Sequence, residues 1–218
     1  MSVLRYFLVV PPKPLLRGVL HLSAFFLSLV PGAILVAAHH APRQRAAAAV
    51  FAATVAAMFL VSGLYNLLSW PPRARRFMRR LDHTTIFLTV AGTYTPYGLL
   101  ALHGSDRVVV LAIVWSGVGV AITLGLLWPE APKWLAPAIG IGLGWVGVIA
   151  LPQLVETIGL GGTALLFAGG VLYTTGALVY ALRKPNPAPR VFGFHELFHA
   201  LVIAAVACQY CSVAFFVL

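Results

Sequence analysis

The chain has 218 residues, of which 61% are hydrophobic and 9% are charged. A water-soluble domain is about a quarter charged and about half apolar, so this composition excludes a soluble globular fold and predicts an integral membrane protein. The net charge of +10 would suggest a nucleic-acid partner in a soluble protein. Because the basic residues lie between apolar runs, we interpret them as determinants of membrane orientation and expect no nucleic-acid binding.

Seven apolar segments, each close to the length that crosses a bilayer, predict seven transmembrane helices. They lie at residues 18–38, 46–68, 84–102, 107–127, 134–151, 158–182 and 193–217. The segments between them contain prolines and charged residues, as in "WPPRARRFMRRLD" at 70–82 and "PQLVE" at 152–156, and are expected to be loops. We predict one all-α membrane domain over residues 1–218, built as a bundle of seven helices.

The distribution of Lys and Arg predicts how this bundle is oriented. Twelve of the 15 Lys and Arg residues lie in the N-terminal segment and in the second, fourth and sixth loops. Cytoplasmic loops have the excess of these residues. We therefore expect a cytoplasmic N-terminus, an extracytoplasmic C-terminus and a multi-pass protein of the cell (plasma) membrane.

Polar side chains inside the apolar segments are costly in a bilayer and are therefore candidates for function. In chain order these are Ser62 and Asn66 at the end of helix 2, Asp82 at the start of helix 3, and His195 and His199 at the start of helix 7. Residues four apart share a helix face. In the predicted topology all five lie near the cytoplasmic surface, and we expect them to line one cavity.

The residue types in this set indicate a metal site. A catalytic zinc usually has three protein ligands and a water, and His195 and His199 would supply two of them. Asp82 is either a third ligand or the general base for the water. Asn66 is a poor zinc ligand because its amide oxygen is neutral and hard, and the Ser62 hydroxyl can hydrogen-bond a water or a carbonyl.

A second interpretation of His195 and His199 is a protease site, because the sequence between Phe194 and His199 contains H-E-x-x-H. That interpretation requires Glu196 as the base, and the further histidine of the best-known variant is absent after His199. A lone histidine in an apolar run is usually a hydrogen-bonded packing residue. His21 has no polar neighbour at helical spacing, so we expect it to be structural.

Three separated motifs, "SGLYN", "RRLDHTTIFLTVAGTYTP" and "FGFHELFH", resemble the hemolysin III family, the bacterial branch of the progestin and adipoQ receptors. The similarity extends over nearly the whole chain. It implies a seven-helix bundle that resembles alkaline ceramidases in holding zinc near the cytoplasmic side. In that family one histidine ends an S-x-x-x-H motif on helix 2, and two more come from H-x-x-x-H on helix 7.

By position, the resemblance implies that His195 and His199 are zinc ligands, that Asp82 positions the water, and that Ser62 is an accessory hydroxyl. Asn66 stands where the family pattern has histidine. We therefore predict weak or substoichiometric zinc binding at a site that includes Asn66, unless Asp82 binds the metal directly.

Two functions follow from this sequence. The first is a zinc-dependent hydrolase that acts on an amide bond of a membrane lipid, as the ceramidase-like resemblance implies. The second is a non-enzymatic membrane protein that affects lipid state or permeability and has a degenerate metal site. Membrane lipids are the expected partners in both cases, and the sequence does not distinguish the two.

Overall fold

The computed structural model describes residues 13–128, 132 and 134–218, and the described chain is a helical bundle. Its α-helices are α1 (Val19–Ala37), α2 (Pro42–Leu67), α3 (Pro72–Pro96), α4 (Gly104–Leu127), α5 (Leu135–Gly144), α6 (Leu151–Leu182) and α7 (Phe194–Ser212). Single π-helical turns follow α3 and α7, and a 3-10 turn, Val146–Ala150, joins α5 to α6.

Five helical segments of the described chain are long and apolar enough to cross a membrane. They are α1, α2, α4, the segment Leu135–Leu182 taken as one, and α7 with its π turn. Large apolar side chains lie exposed along them, such as Leu27 on α1 and Leu160 on α6. Water would oppose such exposure whereas lipid favours it, so the chain is an all-α, multi-pass membrane protein.

Two segments that we expected to be loops are helical. The arginine-rich run at 70–82 forms the first turns of α3, so Asp82 lies well inside this helix rather than before it. The segment at 152–156 forms the first turns of α6. Both helices have a proline in their first turn, where the missing N–H costs nothing and the fixed φ angle suits the helix.

The start of the predicted sixth helix coincides with a break inside α6. Gly159 has a φ of 68° and a ψ of 175°, and these angles interrupt the helical backbone between its first two turns and the rest. Glycine occupies this region because it has no Cβ to clash. The break explains why the apolar pattern indicated a helix from residue 158 although helical structure begins at Leu151.

The ends of three helices meet at one end of the bundle. Gly18, just before α1, has a φ of 80°, and a Cβ there would lie 2.5 Å from the backbone nitrogen of Leu67 at the end of α2. The backbone nitrogens of Leu15 and Leu16 donate hydrogen bonds to the carbonyls of Arg190 and Val191, just before α7. We call this end, where α1 and α7 begin and α2 finishes, the polar end.

A second region joins α3 to the break between α5 and the 3-10 turn. The Tyr94 hydroxyl donates to the carbonyl of Gly144 at 2.6 Å and accepts from the backbone nitrogen of Gly147 at 2.9 Å. A cavity of about 10 Å³ lies beside this hydroxyl and is also lined by Trp145 and Phe167. Its volume is close to that of one water molecule.

Candidate metal site at the polar end

His195 and His199 lie in the first turns of α7, one helical turn apart. Their ring centres are 4.5 Å apart and their rings are inclined by 65°. Two imidazoles that share a tetrahedral zinc at about 2.0–2.1 Å have ring centres roughly 5 Å apart. The pair therefore stands close to the spacing that a shared metal ion requires.

A third histidine, His21 of α1, completes a cluster that the sequence had not predicted. Its ring stacks on His199, with ring centres 3.7 Å apart and planes inclined by only 8°. His21 is 2% exposed, and Phe59 closes its other side with an edge contact at 5.2 Å. We call His21, His195 and His199 the histidine cluster.

That His21 is structural stays a prediction. Among the described residues, neither of its ring nitrogens makes a well-formed hydrogen bond, although the ring interacts with the backbone of His199. The position of His21 beside His199 could have been predicted from the sequence. α1 and α7 enter from the same side, so the depth argument that selected His199 also places His21 near the polar end.

The histidine cluster contains several buried atoms whose bonding is incomplete. Nε2 of His195 and Nδ1 of His199 have no partner within the described chain, and the two nitrogens of His21 make no more than a weak contact with the backbone of His199. A buried polar atom without a partner costs about 1–3 kcal/mol. Buried atoms of this kind in three touching rings make the histidine cluster a candidate binding site.

Ser62, Asn66 and Asp82 form a second polar group, contributed by α2 and α3. All three side chains are buried, and the Ser62 hydroxyl interacts with the Asp82 carboxyl. The amide nitrogen of Asn66 donates to the Ser62 carbonyl at 3.0 Å, one turn back in its own helix. Oδ1 of Asp82 is buried and has no hydrogen-bond partner in the part of the chain that is described.

Tyr180 of α6 lies between the two groups. Its ring meets the edge of the His195 ring at 5.4 Å, and Asp82 is near enough for its charge to act on the Tyr180 hydroxyl. The structure thus places His195 beside His199, and Ser62 beside Asn66 and Asp82. That all five line one cavity stays a prediction.

Glu196, the base that the protease interpretation requires, is paired with Arg17. Its side chain is fully buried, Oε1 accepts a hydrogen bond from Nε of Arg17 at 2.6 Å, and Oε2 accepts one from the backbone nitrogen of Gly193 at 2.9 Å. A carboxylate in the first turn also stabilises the helix N-terminus. Because both oxygens are engaged, Glu196 is not a free base, and the protease interpretation loses its central residue.

Lys13 adds positive charge at the same end of the bundle. Its ammonium group donates to the carbonyls of Asn66 and Leu68 at 3.3 Å each, and so caps the end of α2. Burial, followed by the nearby charges of Arg75 and Arg17, lowers the pKa of this group. The segment before α1 is therefore attached both to α2, through Lys13, and to α7, through Arg17.

The fit of this site to zinc is good in its chemistry and incomplete in its geometry. Neutral imidazole nitrogens and a carboxylate are common zinc ligands, and buried, unpartnered atoms of both kinds are present. Within residues 13–128, 132 and 134–218, no three His, Cys, Asp or Glu side chains are arranged to hold one ion. His195 and His199 fit a metal as a pair, and a third ligand would have to move into place.

Comparison with known proteins agrees with this architecture. The sequence profile of the family described as "Haemolysin-III related" matches residues 10–210. Hemolysin-3 of Bacillus cereus is 32% identical over 190 residues, which cover 85% of this chain and 84% of that protein. The Hemolysin-3 homolog of Bacillus subtilis (strain 168) is 27% identical over 167 residues, covering 77% and 75%.

A eukaryotic relative shares a shorter region. The adiponectin receptor protein of Drosophila melanogaster is 32% identical over 155 residues, which cover 62% of this chain and 34% of that protein. The match is consistent with the motifs that resembled the progestin and adipoQ receptors. With a family profile spanning almost the full sequence, this chain belongs to the haemolysin-III related family.

Proposed function

We propose that this protein is a zinc-dependent hydrolase that cleaves an amide bond of a membrane lipid. One observation carries the proposal: the buried imidazoles of His195 and His199 are adjacent and have unpartnered nitrogens, at the end of the bundle where Asp82 and Ser62 are also buried. Intramembrane ionisable groups are retained mainly for function because their burial is expensive.

The proposed roles of the residues follow from their surroundings. Zinc held by His195 and His199 would polarise the amide carbonyl and lower the pKa of a water. Asp82 accepts the proton of the attacking water, because its Oδ1 is buried and free of other donors. Ser62, which already contacts Asp82, orients that carboxyl.

The surroundings of the site favour a lipid as substrate. Apolar side chains are exposed on the helices around it, so the bilayer rather than water is the adjoining medium. The basic residues at the polar end, among them Lys13 and Arg75, suit an anionic membrane surface. Membrane lipids are accordingly the proposed partners.

The direct test is release of fatty acid from ceramide in mixed micelles by the purified, zinc-supplemented protein. We expect activity in the wild type and its loss in Asp82→Asn and in His199→Ala, with the exposed His40→Ala as the matched control. Wild-type protein that holds zinc but hydrolyses neither ceramide nor other N-acyl lipids would exclude the enzymatic function.

Asn66 supports a second candidate function. Its amide is hydrogen-bonded to its own helix, and the described residues do not present three metal ligands in place. A degenerate site of this kind would belong to a non-enzymatic membrane protein that affects lipid state or permeability. Dye leakage from vesicles that contain the protein, equal in the wild type and in His199→Ala, would favour this second function.

We further propose that all seven helices cross the plasma membrane with the N-terminus in the cytoplasm. α3 was not among the five apolar spans, but its second half is apolar and its first half is arginine-rich, as expected for a helix that begins at the cytoplasmic surface. A phosphatase reporter fused after Leu218 should be active only outside the cytoplasm. Activity of a cytoplasmic reporter at the same position would refute the topology.

A further inference from the structure

We propose that the first turns of α3 form a binding surface for the headgroup phosphates of anionic phospholipids, in the leaflet that adjoins the polar end. The surface consists of Arg73, Arg76 and Arg80, and we call it the arginine face. The inference rests on the membrane crossing of α3 that is proposed above, and it depends neither on a bound metal nor on hydrolysis.

The positions of these arginines place them on one side of α3. Residues three, four and seven apart share a helix face, and these are the separations within Arg73, Arg76 and Arg80. All three side chains are exposed, whereas Met78 and Asp82, on the opposite side of the helix, are buried. The arginine face therefore points away from the rest of the bundle.

The positive charge of the arginine face is not neutralised by any described carboxylate. Among the residues that the structure describes, the one ion pair is between Arg17 and Glu196. Asp82 is buried on the opposite side of α3, and Asp106 and Glu156 lie near the starts of α4 and α6, at the other end of the bundle. An anionic partner of this face therefore lies outside the described residues.

Phe77, which lies beside the arginine face, indicates that this partner is part of a membrane. Its side chain is large and apolar, yet it is 61% exposed. Exposed aromatic and arginine side chains together are typical of helices at the boundary between headgroups and acyl chains. The second half of α3 contains no Asp, Glu, Lys or Arg, so the arginines lie where a crossing helix meets the headgroups.

The chemistry of the arginine face suits phosphate. A guanidinium presents its N–H donors in a planar fork that matches phosphate oxygens. Arg75, by contrast, lies beside this face and is turned toward α2, with its guanidinium carbon 6.0 Å from the centre of the Tyr65 ring. Free phosphate has the same chemistry, but the neighbouring Phe77 favours phosphate that is attached to a lipid.

The test measures the melting temperature of the purified protein in an uncharged detergent as lipid is added. Phosphatidylglycerol, which is anionic, is compared with zwitterionic phosphatidylcholine and with inorganic phosphate. A ligand of the folded state raises its stability, so we expect phosphatidylglycerol to stabilise the wild type and the other two to leave it unchanged. Mass spectrometry of the lipid that copurifies with the wild type should show the same preference.

A triple variant, Arg73→Gln/Arg76→Gln/Arg80→Gln, locates the effect. We expect the concentration of phosphatidylglycerol that gives half of the maximal stabilisation to rise roughly 100-fold, which corresponds to about 1 kcal/mol for each arginine. The three side chains are exposed, so the variant should fold as the wild type does, and circular dichroism checks this.

The matched control is Arg183→Gln/Lys184→Gln/Arg190→Gln, which removes the same charge from exposed residues of the loop before α7. These residues do not share a helix face, and their replacement should weaken the effect by less than about threefold. Equal weakening by both triple variants would refute the arginine face, because attraction to net charge would then explain the effect.

The lipid comparisons test the identity of the ligand. Equal stabilisation by phosphatidylglycerol and phosphatidylcholine would refute recognition of an anionic lipid. Stabilisation by inorganic phosphate equal to that by phosphatidylglycerol would refute a lipid as the occupant. No measurement here uses zinc or hydrolysis, so the failure of this inference is distinct from the failure of the proposed function.

Discussion

Two groups of buried polar side chains in this protein differ in their bonding. Near the C-terminal end of α3, the Tyr94 hydroxyl both donates and accepts a hydrogen bond and so joins α3 to the break after α5. At the polar end, His199 is buried to a similar degree, yet its Nδ1 has no hydrogen-bond partner within the described chain. The Tyr94 hydroxyl is satisfied by the backbone, whereas the buried ring nitrogen of His199 has no partner among the described residues.

This difference distinguishes two kinds of buried polar side chain in a membrane protein: those that hold the fold together and those that are candidates for binding a ligand. A buried side chain that completes backbone hydrogen bonds stabilises the fold, and its removal leaves those backbone groups unpaired. A buried side chain without partners destabilises the fold until a ligand binds. Variants of the two groups should therefore change stability in different directions.

The largest loss of stability is expected from Arg17→Met. Removal of the guanidinium leaves the fully buried carboxylate of Glu196 without its cation, and breaking one half of a buried pair costs about 3–5 kcal/mol. Thermal or chemical unfolding in detergent micelles measures the effect. The exposed Arg190, changed to Met, is the control and should shift stability by under about 0.5 kcal/mol. Equal effects of the two changes would show that the ion pair does not stabilise the bundle.

A smaller loss is expected from Tyr94→Phe. The change leaves the buried backbone nitrogen of Gly147 without its acceptor, which costs about 1–3 kcal/mol. The same substitution at Tyr210, whose hydroxyl reaches a partly exposed bond to Pro31, is the matched control and should cost under about 1 kcal/mol. A Tyr94→Phe variant as stable as the wild type would show that the Tyr94 hydroxyl does not stabilise the fold.

The smallest change is expected from His21→Phe in zinc-free protein. An apolar ring of similar shape replaces two buried nitrogens that make no more than a weak contact with the backbone of His199 within the described residues. Stability should therefore be unchanged or rise, by up to about 1 kcal/mol. Unfolding in the presence of a chelator measures this. A loss of more than about 2 kcal/mol would mean that His21 has structural partners, and the distinction between the two groups would fail.

The helical architecture could be predicted because lipid makes hydropathy a direct signal. Predicted and observed ends agree closely for α1 and α7, where apolar runs stop at charged or proline-rich segments. The start of α3 was not predictable from hydropathy. Arginine is a good helix former, but its polarity makes an arginine-rich segment look like a loop between two apolar helices. The early start of α6 was missed because of Pro152. Proline breaks a helix in its interior but is favoured in the first turn, which is where Pro152 lies.

The candidate site was only partly predictable, since spacing identifies residues that share a helix and nothing more. His195 and His199 were found from their separation of four. The stacking of His21 on His199 and the pairing of Arg17 with Glu196 join α1 to α7 across almost the whole chain. Such contacts depend on which helices are neighbours, and a single sequence does not encode that in any local pattern.

The central claim is that the unpartnered imidazoles at the polar end bind zinc, and its most direct test is the shift in melting temperature caused by zinc. Zinc at about 100 times its dissociation constant stabilises a folded-state site by about 2.7 kcal/mol, which corresponds to roughly 5–10 °C for a chain of this size. We expect that shift in wild type and none in His199→Phe. Equal shifts in both proteins, or no shift in wild type across the micromolar range, would contradict the claim.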